Sequence, residues 1–367
     1  MQFICEGLDL ADAVFKVSKA ISNRNTNPIL EGIKITAENS YLTLSATDLE
    51  LYIEKKIKAD ILVEGETVVP GKFFVDYIKK LNNEKIEFTL NEKNQLKITY
   101  SDNEGFIQCF NTLEYPEYKK PETTNFFGIE TKDLKALINK TIFSVATDDS
   151  RPILKGCLLE ISETNINCVA LDGYRLAICR KNIINSTIDS KIVVPAKSLS
   201  EISKLLDDSD KVINLYLEEN YLMIDLEDTK IITRLLDGEF LNYKQILPKE
   251  FPTVINVNKN QLDESLDRVS ILSKLGQNNL VSFEIKEKNI IITSNSEIGN
   301  LKEILNVKLF GNDMNISFNS RYFSESLKVI GDEFIKISFT NQTSPCLIEP
   351  IEGNEYLYLI LPVRILN

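Results

Sequence analysis

Apolar positions along this chain follow two alternating periods. In GLDLADAVFKVSKA (Gly7–Ala20), Leu10, Val14 and Val17 recur at i, i+4, i+7, one face of a helix. Leu262, Leu266 and Val269 in NKNQLDESLDRVSIL repeat that spacing, and ETKDLKALINKTIF opens a third such segment. Between these segments stand runs such as YLTLSA, KIEFTL, QLKITY, INLYLEE, YLMIDLE, VSFEIKE and NIIITS, most of them apolar at every second residue, which predicts half-buried strands. The order is strand, helix, several strands, helix, several strands, and it runs three times.

The sequence itself repeats with that order. NPILEGIKI (Asn27–Ile35) is answered by RPILKGCLLEI (Arg151–Ile161), with Pro28 and Pro152 standing 124 positions apart. TVVPGKFFVDYIKKL (Thr67–Leu81) is answered by IVVPAKSLSEISKLL (Ile192–Leu206) and again by ISFNSRYFSESLKVI (Ile316–Ile330). EYPEY at Glu114–Tyr118 matches EFLNY at Glu239–Tyr243. The chain is thus a triplicated unit of roughly 122 residues, each copy itself made of two similar halves. Polar segments with two prolines each, PEYKKPETTN and PKEFPT, mark the joints, so domains are expected over 1–121, 122–249 and 250–367. The fold class is α+β, three sheet-and-helix domains in a row.

Charge changes the picture. The second helix of each copy carries basic, acidic and basic residues at i, i+4, i+7: Lys72, Asp76, Lys79; Lys197, Glu201, Lys204; Arg321, Glu325, Lys328. A solvated helix face laced by ion pairs explains any one of these stripes. It does not explain why the cation comes first, where it opposes the helix dipole by about 0.3–1 kcal/mol, in three equivalent places. The six predicted helices (Leu8–Ala20, Lys72–Leu81, Lys132–Thr141, Lys197–Leu206, Lys259–Lys274, Arg321–Ile330) hold 15 Lys and Arg against 9 Asp and Glu, in a chain of net charge -12. Positive helices on a negative body suit contact with phosphates. No helix-turn-helix, zinc finger or aromatic-interleaved run is present to read bases, so such contact would be independent of sequence and sensitive to salt.

Composition removes other classes. Histidine is absent, and with it the usual general base and the commonest zinc ligand. Six cysteines are scattered without C-x-x-C spacing, which predicts buried free thiols and neither a metal site nor a cofactor site. The start, MQFICEGLDLADAVF, lacks a basic region ahead of a cleavage site, and no apolar run of membrane-spanning length exists, so a cytosolic protein is expected.

VALDGYRLAICR (Val169–Arg180) poses a separate question. Asp172-Gly173 between two apolar runs predicts a hairpin. The turn has no need of Tyr174 and Arg175, which stand beside it, and only the middle copy has them: the first copy reads TDLEL there and the third NSEIG.

Seven strings in order, NPIL, ATDLEL, VVPGKFF, ALDGYRLA, RLLDGEFLNYKQILP, FNSRYF and LILPVRIL, together with the triplication, resemble the bacterial sliding clamp family, the DNA polymerase III beta subunits. The resemblance spans the chain. It implies two chains joined head to tail in a ring, helices lining the hole and sheets outside, around duplex DNA held without sequence specificity. It implies a processivity factor, not an enzyme. Partners would be the replicative polymerase, the clamp loader and repair polymerases, bound through short peptides in a cleft between the second and third domains.

Carried over residue by residue, that cleft uses Arg151 and Leu154, then Gly173, Tyr174, Arg175 and Leu176, then Leu241 and Ile246. The third domain adds Asn319, Tyr322, Leu359, Leu361, Pro362, Val363 and Arg364. Leu154, Leu176, Ile246 and Leu361 are expected as its floor, with Tyr174 and Arg175 framing the mouth. DNA would face Arg24, Lys72, Lys79, Lys197, Lys204, Arg321 and Lys328, and the joint between chains would use Ile271 and Leu272 against Phe106, on a strand one residue shorter than in relatives. Tyr174 stands where many relatives have His and Leu241 where many have Pro, and the chain continues past Arg364 through Ile365-Leu366-Asn367. Two other classes compete: a metal-dependent nuclease built on Asp48 and Asp172, and a repeat scaffold without DNA. Two aspartates at matching repeat positions are more simply read as turn residues.

Overall fold

The structure, a computed structural model, describes residues 1–22, 27–81, 83–118, 124–275 and 279–364. The six expected helices form as α1 (Gly7–Val17), α2 (Gly71–Ile78), α3 (Thr131–Asn139), α4 (Ala196–Ser203), α5 (Lys259–Ser273) and α6 (Ser320–Lys328), each within a few residues of its predicted span. Their apolar spacing does what the sequence requires: Leu10, Ala13, Val14 and Val17 of α1 are buried, as are Leu262, Leu266 and Val269 of α5. In α3 Leu134, Leu137 and Ile138 are buried with Thr131, and in α4 Leu199 and Ile202 with Ala196 and Ser198.

The strands do not sort by sequence copy. Two compact units form, and the middle copy contributes to both. One unit comprises Met1–Thr131, Ile184–Ile188 and Glu201–Leu235. It holds a five-stranded sheet in the order Asp60–Val63, Gln2–Glu6, Lys85–Leu90, Gln95–Tyr100, Asn103–Gln108. Its eight-stranded sheet runs Phe126–Glu130, Val212–Glu218, Tyr221–Asp225, Thr229–Arg234, Leu51–Lys58, Tyr41–Thr47, Gly32–Glu38, Gly65–Pro70. The seam between copies is the antiparallel pairing of Thr229–Arg234 with Leu51–Lys58, in the register Ile231 opposite Ile53.

The other unit comprises Lys132–Ile183, Asp189–Ser200 and Leu236–Asn367. Its nine-stranded sheet runs Ser190–Pro195, Gly156–Ile161, Asn165–Leu171, Arg175–Asn182, Tyr356–Ile360, Cys346–Pro350, Phe334–Phe339, Thr253–Asn258, Lys308–Gly311. A four-stranded sheet runs Gly299–Asn306, Asn289–Ser296, Leu280–Lys286, Met314–Asn319. Here the seam is Arg175–Asn182 against Tyr356–Ile360, with Leu176 opposite Leu359.

The two seams are the same joint used twice. In each, the last strand of one copy's first half pairs with the last strand of the next copy's second half. The corresponding third pair is Gly299–Asn306 and Asn103–Gln108, and both of these are sheet edges. An unpaired edge presents a row of open N–H and C=O groups to any strand that can reach it.

All six cysteines are buried and free, in agreement with the expectation from their scatter. Burial lifts the Cys5 and Cys179 thiols to about 12, which leaves them unreactive.

Candidate functional site

The Asp172 hairpin is shifted by one residue from the sequence expectation. The N–H of Asp172 donates to the Arg175 carbonyl at 3.3 Å, so Gly173 and Tyr174 are the central pair and Tyr174 lies in the turn itself. Asp172 Oδ1 accepts the N–H of Tyr174 at 2.9 Å and of Arg175 at 3.0 Å, and this second set of bonds pulls the turn forward. Gly173 has φ +92°, a left-handed value suited to glycine.

The first copy builds the same turn without glycine. Asp48 N–H donates to the Leu51 carbonyl at 3.2 Å, and Asp48 Oδ1 accepts from the N–H groups of Glu50 and Leu51 at 3.1 and 2.8 Å. Leu49 there takes φ +76°. Both aspartates therefore serve their own turns, and among the described residues no cluster of acidic, Cys or His groups could hold a metal. What the middle copy adds is the pair Tyr174-Arg175.

Arg175 differs from the expectation that it frames a mouth. It is only 6% exposed. Its Nε donates to Asp172 Oδ2 at 3.0 Å, its Nη2 to the Phe143 carbonyl at 2.6 Å, and its Nη1 to Glu325. The guanidinium lies over the Tyr322 ring at 4.7 Å and near Phe143 at 5.4 Å. Every nitrogen is engaged inside the protein, so Arg175 is a buried post that holds its neighbours. Tyr174 is the opposite case, 61% exposed with its ring stacked on Tyr322.

Around this post the remaining cleft residues assemble. Leu154, Leu176 and Leu359 belong to one buried cluster with Val169, Leu171 and Tyr243. Ile246, Leu361 and Leu241 are exposed, so of the four floor residues expected, Leu154 and Leu176 are buried while Ile246 and Leu361 are open to solvent. Leu361 N–H donates to the Tyr174 carbonyl at 2.9 Å and Val363 N–H to the Ser317 carbonyl at 2.8 Å, which lays Leu361–Val363 between the hairpin and the Met314–Asn319 strand. Pro362 is half-buried and Arg364 exposed. Val363 and Arg364 continue into an open polar groove of about 720 Å³, lined also by Ser282, Glu284, Asn315 and Ser317. Asn319 caps α6 by accepting the Arg321 N–H at 3.0 Å. Arg151 is exposed at the start of the turn that buries Leu154.

The loop carrying Leu241 and Ile246 is fastened from below. Tyr243 donates its hydroxyl to Glu160 Oε2 at 2.6 Å, and Lys191 and Lys244 reach Glu160 Oε1 at 3.1 and 3.4 Å. Burial works against charge on Glu160, but these partners and Asn167 outweigh it and hold the carboxyl below its ordinary value. Nothing in the sequence marks Glu160, Phe143 or the second duty of Glu325, because each acts on a residue far away along the chain.

On the helices, Lys72, Lys79, Lys197, Lys204, Arg321 and Lys328 are all exposed. Lys72, Lys197 and Arg321 each occupy the second helical position, so three cations stand at equivalent first turns. Lys204 and Arg321 pair with the acidic members of their stripes, Glu201 and Glu325, both at 2.7 Å. Arg24 lies outside the described residues, as does the expected 121/122 domain boundary.

At the end of α5, Ile271 is 68% exposed but Leu272 only 7%. Neighbouring helical residues point about 100° apart, and here Ile271 faces solvent while Leu272 packs inward. Leu275, just past the end of α5, is exposed as well. Phe106 is exposed on the Asn103–Gln108 edge, and Ile298, Leu301 and Ile304 are exposed on or beside the Gly299–Asn306 edge.

Comparison with known proteins finds similarity along the chain as a whole. Residues 1–120, 128–242 and 244–364 match the N-terminal, central and C-terminal domains of the DNA polymerase III beta subunit. The beta sliding clamp of Staphylococcus epidermidis is 32% identical over 356 residues, 94% of each chain, and that of Staphylococcus aureus 30% over the same span. The solved DNA polymerase sliding clamp of Bacillus subtilis superposes with a TM-score of 0.97 at 32% identity, covering all of both chains. The DNA polymerase III beta subunit of Thermotoga maritima gives 0.93 at 29%, again over both whole chains. With three tandem clamp domains and these relatives, the chain belongs to the DNA polymerase III beta subunit family, the sliding clamps that serve as non-catalytic processivity factors of that polymerase.

Proposed function

We propose that two copies of this chain join head to tail into a ring around duplex DNA, with clamp domains over 1–121, 122–249 and 250–367. One observation carries the reading: of three equivalent edge-to-edge joints, two are made within the chain and the third pair of edges, Gly299–Asn306 and Asn103–Gln108, is left open. Joining the open edge of one copy to the other open edge of the next is a heterologous contact, and such contacts close into rings when the rotation allows. Phe106 on one edge, and Ile271, Leu275 and Ile304 near the other, supply apolar surface for that joint.

The exposed cations of α2, α4 and α6 fit phosphates along a duplex threaded through the ring, in the cytoplasm where replication takes place. Their mixed stripes favour weak contacts, which suits sliding better than uniformly basic faces would. Tyr174, Leu241, Ile246 and Leu361 form the open surface on which an extended peptide with large apolar side chains is held, over a floor of Leu154, Leu176 and Leu359 and beside Asn319, Tyr322 and Pro362 to Arg364. The replicative polymerase, the clamp loader and repair polymerases are the partners that would present such peptides.

Retention on DNA tests the ring. Loaded by its clamp loader onto circular duplex, the chain is expected to stay bound through gel filtration and to be released when the circle is cut, since only topological binding fails at a free end. Lys72→Glu, Lys197→Glu and Lys328→Glu together should abolish loading while leaving the oligomer intact. Retention indifferent to cutting would defeat the ring.

A further inference from the structure

Glu325 lies between two guanidinium groups with different duties. Its Oε1 accepts from Arg321 Nε at 2.7 Å and its Oε2 from Arg175 Nη1. Arg321 is exposed on the basic face of α6, whereas Arg175 is the buried post behind the cleft. From Arg175 the contacts continue to the Tyr322 ring at 4.7 Å, and from Tyr322 to Tyr174, centroids 6.1 Å apart. A contiguous path thus joins an exposed cation to the exposed aromatic of the peptide surface, and all of it lies in one compact unit.

The charges along this path balance as a set of four: Asp172 and Glu325 against Arg175 and Arg321. A phosphate that draws Arg321 away removes one cation from the set. The full charge of Glu325 then falls on Arg175, and a charge-assisted bond to a buried guanidinium strengthens when it is no longer shared. Arg175 is only 6% exposed and each of its guanidinium nitrogens already bonds within the protein, so a firmer hold on it reaches a peptide through the Tyr322 ring it faces and the Tyr174 ring stacked on Tyr322.

We propose that Glu325 is a positioning residue that couples the basic face of α6 to the peptide cleft, so that a polyanion bound at Arg321 firms the Arg175–Tyr322–Tyr174 stack and raises peptide affinity. The inference rests on the readings of α6 and of the cleft given under the proposed function. Because such coupling is a free energy between two sites, bound peptide must favour the polyanion by the same factor.

A mutant cycle on the full-length oligomer tests it. The probes are a fluorescein-labelled peptide from the partner polymerase, followed by anisotropy, and a short linear duplex. Saturating duplex is expected to tighten peptide binding to the parent about fivefold. Arg321→Gln should show the same tightening without duplex and no further response to it. In Glu325→Gln, neither duplex nor added Arg321→Gln should change peptide affinity. Arg321 is exposed, so Arg321→Gln carries the test by itself if Glu325→Gln lowers stability. Equal responses in the parent and Glu325→Gln, or weaker binding in Arg321→Gln, would overturn the coupling alone. Failure of the parent to bind any polymerase peptide would overturn the cleft reading and the coupling with it.

Discussion

Tyr174 and Tyr322 stack with ring centroids 6.1 Å apart and planes at 21°, one ring on the hairpin turn of the middle copy and the other on the first turn of α6. Tyr174 gives the stack its solvent-facing side, and exposed aromatic surface over a rigid support is the usual source of peptide-binding energy. Tyr174→Ala is expected to weaken peptide binding about tenfold, near 1.4 kcal/mol, with no change in thermal stability. Equal affinity by calorimetry would show that the stack serves only the hairpin.

Leu176 and Leu361 separate stability from binding. Leu176 is buried among Leu154, Leu171 and Leu359, so Leu176→Ala leaves a cavity and should cost about 2–5 kcal/mol of folding stability. Leu361 is exposed, and Leu361→Ala should leave the melting temperature unchanged while peptide affinity falls several-fold. Denaturant unfolding alongside anisotropy distinguishes the two, and a stability loss in Leu361→Ala would assign that side chain to the core.

The open edges make a prediction about assembly. Ile271→Ala with Phe106→Ala should yield folded monomers in sedimentation, because both side chains are mostly exposed in the single chain and the proposed joint is where they would pack. Leu272→Ala should instead lower the stability of the monomer itself. An intact oligomer in the first variant would place the joint elsewhere.

Glu160 brings a pH dependence. Its partners depress the folded carboxyl below the ordinary 4.5, so the stability it contributes is complete above that value and is lost as pH falls through the lowered one. Hydrogen exchange of residues 240–247, corrected for intrinsic rates, should show protection falling below pH 4.5 in the parent but not in Glu160→Gln. Identical profiles would mean that Tyr243 is held by packing alone.

The helices, most strands, the triplication and the equivalent cations were legible in the sequence, because each depends on residues a few positions apart or on one segment compared with its copy. Leu10, Val14 and Val17 share a face whatever they pack against. The Asp172 turn was legible too, though one residue out of place, because its closing bonds depend on which backbone N–H groups the carboxylate takes. Which strands join which sheet was a matter for tertiary structure. An apolar run after a turn signal shows that Arg175–Asn182 is a strand, but only packing pairs it with Tyr356–Ile360 and leaves Gly299–Asn306 open. The same holds for single side chains. Arg175 and Leu272 read as surface groups in the sequence, and burial converted one into a post and the other into core, because the partners that bury Arg175 arrive from Phe143 and Glu325, remote positions that no local spacing connects.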